Sequence, residues 1–234
     1  GTVFKDPVSP PDSRYKMIYA VMSDGVFGAY SPDGLRWSKY EGYFLQRNQA
    51  DTQNVCFWDD KLKKYVCYIR ANLVWRYPNC TRTVGRSETD NFLSWPCFDV
   101  VLAADENDPA DVDLYNSAAV KYSRADNAYF IITSLYHHTE DILEPQLVVS
   151  RDGIQWSRPQ RRPFIPLGHE DSFDSAMIHA CTGHIVRDKE IWIYYRGINR
   201  KHTQPYGQTV YGGVITRAVL RIDGFVCLEA GPTE

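Results

Sequence analysis

The chain has 234 residues, 44% of them hydrophobic and 24% charged, with a formal net charge of −3. This is globular composition, long enough to bury a substantial core, and it excludes a disordered chain. The slight acidity gives no electrostatic reason to expect nucleic acid or an anionic membrane, and no run approaches the roughly 18 apolar residues that span a bilayer.

The first residues, GTVFKDP, lack the basic-then-apolar layout of a secretion signal, so any targeting segment is expected outside this chain. From there four units follow with one grammar. The first reads GTVFKD, RYKMIYA and GVFGAYSPDGLRWSKY; the second DTQNVCFWD, KKYVCYIR and TRTVGRSETDNFLSWP. The third reads DLYNSAAVKY, NAYFIITSLYHH and PQLVVSRDGIQWSRP; the fourth FDSAMIHACTGHIVRD, KEIWIYYRG and GVITRAVLRIDGFVCLE. Their approximate limits are 1–45, 46–105, 106–165 and 166–234, taken together as one domain. In each unit an apolar run ends in Asp-rich turn residues, an aromatic-rich run follows, and a third run ends in a turn. That turn is written almost identically as SPDGLRW (Ser31–Trp37) and SRDGIQW (Ser150–Trp156). Asp-Gly is a strong turn signal because Gly accepts positive φ and Asp hydrogen-bonds the local backbone. Ser31, Ser87, Ser150 and Thr216 recur at spacings of about 56 to 66 residues, the length of propeller blades.

Short apolar runs punctuated by turns, with no helical period, predict an all-β fold. Runs apolar on both faces, such as AYFIITSLY and EIWIYY, fit strands covered on both sides by neighbouring sheets. A β-propeller explains the recurring Trp turn, which the alternative of two stacked β-sandwiches does not. Four visible repeats do not close a ring comfortably, so a fifth blade is expected upstream of Gly1 or built from the chain ends. Trp37, Trp95 and Trp156 are expected to pack. Six cysteines (Cys56, Cys67, Cys80, Cys97, Cys181, Cys227) lack CxxC pairing, which argues against zinc and against a dense disulfide scaffold. Those in NVCFW and YVCYI are expected as small buried hydrophobes.

The phrases FKDP…PPDSRYKM, DTQNVCFWDD…YVCYIR, PQLVVSRDGIQWSRP…PFIPLG, FDSAMIHA and GVITRAVLRIDGFVCLEAG span nearly the whole chain. In them the chain resembles the five-bladed propeller glycosidases, the superfamily around glycoside hydrolase families 32, 43, 68 and 117. The resemblance implies a five-bladed propeller, an oligo- or polysaccharide substrate, and catalysis by acidic residues from separate blades, commonly two Asp and one Glu. Such proteins carry a further N-terminal blade and a β-sandwich beyond the last phrase. Some hold a single Ca²⁺ in the ring axis; no other cofactor is implied.

In a propeller the starts of the innermost strands converge on one funnel. That rule selects Asp51 (DTQN), Asp113 (DLYN) and Asp174 (FDSA), each just before an apolar run. Glycoside hydrolysis needs one carboxyl group to protonate the leaving oxygen and another as base or nucleophile. Asp51 is the expected base or nucleophile and Asp113 the stabiliser. Glu170, in GHEDSFDS, is the preferred proton donor and Glu144 a weaker one. Arg70, Trp75, Tyr136, His137, Arg196 and His202 lie at strand ends or in the loops after second strands, where they would bind sugar hydroxyls or stack on a ring. Tyr77 and His138 accompany them. The sequence contains no G-x-S-x-G, P-loop, H-E-x-x-H or dinucleotide fingerprint. The functional expectation is therefore a glycosidase acting by carboxylate chemistry, the alternatives being a non-catalytic carbohydrate-binding propeller or an interaction scaffold. Cytoplasmic, periplasmic and secreted settings fit equally.

Overall fold

The computed structural model describes residues 1–21, 25–42, 44, 51–72, 82–205 and 213–226. Its first sheet runs β1 (Thr2–Lys5), β2 (Tyr15–Val21), β3 (Gly25–Ser31) and β4 (Ser38–Lys39), antiparallel and in chain order. The second repeats the plan with β5 (Val55–Asp59), β6 (Lys64–Asn72), β7 (Arg82–Thr89) and β8 (Asp99–Leu102).

The third repeat contributes β9 (Val112–Leu114), β10 (Ala118–Lys121), β11 (Tyr129–His137), β12 (Ile142–Ser150) and β13 (Trp156–Ser157). The fourth contributes β14 (Met177–Ala180), β15 (Ile185–Arg187), β16 (Glu190–Ile198) and β17 (Val214–Arg221). In both, two short pieces pair with one long strand: β9 and β10 with β11, β14 and β15 with β16. The inner strand of the third repeat is interrupted at Tyr115–Ser117 because Asn116 replaces the ladder with its own side chain, its Oδ1 accepting from Ser134 N at 2.6 Å. These repeats, distinct in the sequence, form one nine-stranded sheet, since Leu143 of β12 pairs in parallel with Met177 of β14.

The core follows from strand alternation. On β6, Val66 and Tyr68 enter one apolar cluster with Val84, Leu114 and Leu135, while Cys67 and Ile69 enter another with Ile18, Val26 and Phe92. On β11, Ile131 and Leu135 join the first of these, and Phe130 and Ile132 join a third with Leu147, Ile191 and Ile193. Side chains alternate across a strand, so a strand with apolar residues on both faces lies between two neighbours. The sheets therefore stack like blades, and fully burying each such side chain is worth about 1.5–3 kcal/mol.

The repeated turn is one structure built twice. Gly34 N donates to Ser31 Oγ (2.9 Å), and Leu35 N and Arg36 N donate to Asp33 Oδ1 (2.9 and 2.8 Å). In the later copy Gly153 N donates to Ser150 Oγ (2.8 Å), and Ile154 N and Gln155 N to Asp152 Oδ1 (both 2.8 Å). Gly34 and Gly153 share φ of 77° and 75°. In the second repeat the equivalent residue is Thr89 rather than Ser87: Asn91 N donates to Thr89 Oγ1, and Trp95 Nε1 to Phe92 O as Trp37 Nε1 does to Gly34 O. Thr216 lies inside β17 opposite Tyr195, so it is not a turn residue; Asp223-Gly224 supplies the fourth turn. Trp95 and Trp156 pack against core clusters.

Candidate active site around Tyr115

All four repeats meet at their inner strands. Thr2 Oγ1 donates to Asn54 O (2.5 Å), Ser117 Oγ to Gln53 O (3.2 Å), and Gln53 Nε2 to Ala180 O and Thr182 Oγ1 (3.2 and 2.6 Å). The polar groups at this crossing are amide and hydroxyl. Among the described residues no group of three or more His, Cys, Asp or Glu is placed to hold a metal ion.

Asp51 and Asp113 are brought onto one cluster. β6 runs antiparallel to β5, so its far end returns Arg70 to the entrance of β5, where Nη1 bonds Asp51 Oδ1. Arg70 is 5% exposed and Asp51 about half exposed, an arrangement in which a buried fork presents a carboxylate to solvent. Arg70 Nη2 donates to Tyr115 O (2.6 Å), and its guanidinium lies 4.7 Å from the centroid of the Tyr115 ring. Burial pushes the Arg70 pKa down and Asp51 opposes that, with the Arg82 charge adding to the fall.

Asp113, on β9, is buried. Its Oδ2 accepts from Arg82 Nη1 (3.0 Å) and lies 3.2 Å from His138 Nε2. Its Oδ1 is buried with no hydrogen-bond partner among the described residues. Leaving such an oxygen unpaired costs about 1–3 kcal/mol. Arg82 stands 5.3 Å from the ring centroid of Tyr115 and 5.5 Å from that of Tyr136. Tyr136 stacks obliquely on His138 and His202 at 4.2 and 4.6 Å. His202 Nε2 is 3.0 Å from the Tyr115 hydroxyl. Burial, reinforced by Arg82, pushes the His202 pKa down.

The His202 loop is tied to the β11–β12 hairpin through Asp141, a non-glycine residue at φ 62°. Asp141 accepts from Tyr136 Oη (2.8 Å), Thr203 N (2.9 Å) and Thr203 Oγ1 (2.7 Å), and its carbonyl accepts from His202 N (3.1 Å). A left-handed non-glycine residue costs about 1–3 kcal/mol and persists where its surroundings over-determine it. Behind this wall, His179 pairs across the strands with Arg196; burial, then Arg196, His202 and Arg70, lower its pKa to about 4. The charges of Arg196, His202 and Arg70 thus all bear on one half-buried imidazole.

Other expected residues fall elsewhere. Asp174 is buried within the fourth repeat, where Ser172 Oγ (2.8 Å) and Tyr195 Oη (3.2 Å) occupy its two oxygens. Glu170 is exposed in the preceding loop. His137 points to the other side of β11 from Tyr136, with its Nε2 3.5 Å from Glu144 Oε2; strand alternation gives His138 the place beside Asp113. Burial, with Glu140 adding and His137 opposing, raises the Glu144 pKa. Trp75 and Tyr77 lie outside the described residues. Sequence reasoning missed Arg82, Tyr115, His179 and Asp141. Tyr115 had a local signal, two places after Asp113 in DLYN; Arg82 reaches the third repeat from the second and had none.

At the level of sequence, neither protein-family models nor curated proteins give a match. In three dimensions the chain superposes on the structure of a BT0996–RGII complex, with TM-score 0.63 and 16% identity over 94% of this protein and 66% of that one. It superposes on a thermostable family-43 glycoside hydrolase with TM-score 0.61 and 14% identity, over 94% and 69% of the two proteins. For the β-1,2-mannobiose phosphorylase of Listeria innocua the values are 0.58 and 16%, over 87% and 52%. The chain spans about two thirds of the length of the first of these. At such identities the likeness is one of fold, and that fold is all-β of the propeller type.

Proposed function

We propose that this chain is a carbohydrate-active propeller domain that cleaves a glycosidic bond with carboxylates of the Tyr115 cluster, in a five-bladed ring. The observation that carries this reading is the meeting of Asp51 and Asp113, from different repeats, on the shared Arg70–Tyr115–Arg82 stack. An arginine-paired carboxylate serves as base, nucleophile or charge stabiliser rather than as proton donor. Asp51, half exposed, takes the role of base or nucleophile; Asp113, buried, stabilises charge and positions Arg82. Two carboxyls compete for the donor role. Glu170 has the exposed loop position and is preferred; Glu144 has the raised pKa that suits a general acid but stands with His137 on the face of β11 opposite Tyr136. His202, Tyr136, Arg196 and Trp75 are assigned to holding the sugar.

A glycoside panel with the full chain tests the assignment. Asp51→Asn should lower turnover by about 10²–10⁴-fold with an unchanged circular dichroism spectrum. Asp113→Asn should do the same, subject to the same folding check. Glu144→Gln and Glu170→Gln identify the donor, the true one being rescued by substrates whose leaving group needs no protonation. Full turnover in both Asp variants would remove the reading. Binding without cleavage is favoured by one observation, the salt-bridging of both carboxylates. That reading expects sugar-dependent thermal stabilisation with no product.

A further inference from the structure

Cys56 and Cys67 stand directly opposite each other on β5 and β6. Residues opposed in an antiparallel pair point to the same face, and these two share the cluster between the first and second sheets. Both are free and fully buried. Directly opposed Cα atoms lie about 4.5 or 5.5 Å apart, depending on the type of pair. A disulfide spans about 4.4–6.8 Å between Cα atoms and about 3.5–4.5 Å between Cβ atoms, and directly opposed Cβ atoms lie about 4.5–5.5 Å apart, so a small local closing of the hairpin brings the two sulfurs to bonding distance. Burial, with the Cys67 thiol alongside, pushes the Cys56 pKa well up, which makes that thiol inert in the fold.

We infer that Cys56 and Cys67 are a disulfide-forming pair, joined across the β5–β6 hairpin when the chain folds under oxidising conditions and left as buried thiols when it folds under reducing ones. The oxidant is a small disulfide such as glutathione disulfide. One protein thiolate attacks a sulfur of the oxidant and releases one glutathione; the second protein thiolate then attacks the mixed disulfide and releases the other. Two electrons pass from the cysteines to the oxidant, and the two thiol protons end on the two glutathiones. Burial places this chemistry before the first and second sheets close, and afterwards shields the bond from reductant.

The location gives the bond a consequence. The segment entering β5 carries Asp51 and the end of β6 carries Arg70, so a covalent link fixes the register of the two strands that deliver this ion pair. The pair stands on its own geometry and is tested without any assumption about the site's chemistry.

The test is to unfold the full chain and refold it in parallel with glutathione disulfide and with dithiothreitol. Each product is alkylated in denaturant and digested for mass spectrometry. The oxidised product should yield a linked peptide joining Cys56 to Cys67, with Cys97 and Cys181 alkylated. Its urea midpoint should exceed that of the reduced product, and Cys56→Ala should abolish the link and leave Cys67 alkylated. Recovery of Cys56 and Cys67 both alkylated from folded, oxidised protein would overturn the inference, as would their linkage to other cysteines. Because the decisive reading is taken on the unmutated chain, misfolding of the variant would not affect it.

Discussion

The two copies of the Asp-Gly turn allow a controlled perturbation, Gly34→Ala against Gly153→Ala. Both glycines have nearly the same positive φ, 77° and 75°, so alanine meets the same backbone penalty, about 1–2 kcal/mol, partly offset by a less flexible unfolded chain. Their surroundings differ. A Cβ at Gly34 would meet nothing closer than the Tyr15 ring at 3.7 Å, whereas one at Gly153 would sit 2.7 Å from the Tyr68 hydroxyl. Tyr68 is 1% exposed and donates to Gly153 O at 2.7 Å, so its ring has no space to retreat and moving it breaks a buried hydrogen bond. Overpacking of this kind costs about 1–3 kcal/mol. Gly34→Ala should therefore cost about 1 kcal/mol and Gly153→Ala about 2 kcal/mol more. Urea titration followed by tryptophan fluorescence measures both, and with an m-value of about 2–3 kcal/mol/M the midpoints should separate by nearly 1 M. Equal midpoints would refute the claim that neighbour contact, and not turn conformation, sets the difference.

Lys121→Met should destabilise, by less than the roughly 3–5 kcal/mol of a stranded buried charge, because it removes the countercharge of the fully buried Asp59 (Lys121 Nζ at 2.8 Å) but leaves its oxygens accepting from Lys61 N, Leu62 N and Tyr129 Oη; Lys121→Met with Asp59→Asn should recover part of that loss in the same titration. His179, whose pKa burial, then Arg196, His202 and Arg70, lower to about 4, stays neutral in the fold while the unfolded chain takes up a proton below about pH 6.5. Stability should therefore be intact above that pH and fall between about 6.5 and 4. His179→Gln should flatten the slope of melting temperature against pH in that window, and an unchanged slope would exclude His179 as the cause. Asp141→Ala should release the His202 loop, seen as faster proteolysis at Arg200 or Lys201, since it removes the carboxylate that accepts from Thr203 and Tyr136; unchanged cleavage would show the loop held by other contacts.

The strands were legible because their cause is local. AYFIITSLY alternates into two apolar clusters, and that alternation is written in nine consecutive letters. The turns were legible for the same reason, although the second copy was placed two residues early, at Ser87, since without the hydrogen bond from Asn91 N to Thr89 Oγ1 the letters SETDN admit either register. Position in the repeat selects Asp51, Asp113 and Asp174 alike. What distinguishes them is the partner each meets, Arg70 and Arg82 in two cases and Ser172 with Tyr195 in the third.

The amino-acid order by itself determined an all-β chain of four similar units, with acidic residues opening three inner strands, because pleat alternation and turn chemistry act over a few neighbouring residues. Only the tertiary structure decided that Tyr115 would collect Arg70 and Arg82 from the second repeat and His202 from the fourth. It also decided that Leu143 would join two repeats into one sheet and that His138, not His137, would face Asp113. Those choices depend on how long, flexible side chains end up when blades pack against each other. A contact between residues 87 apart, as between Tyr115 and His202, leaves no periodic trace in the chain that makes it.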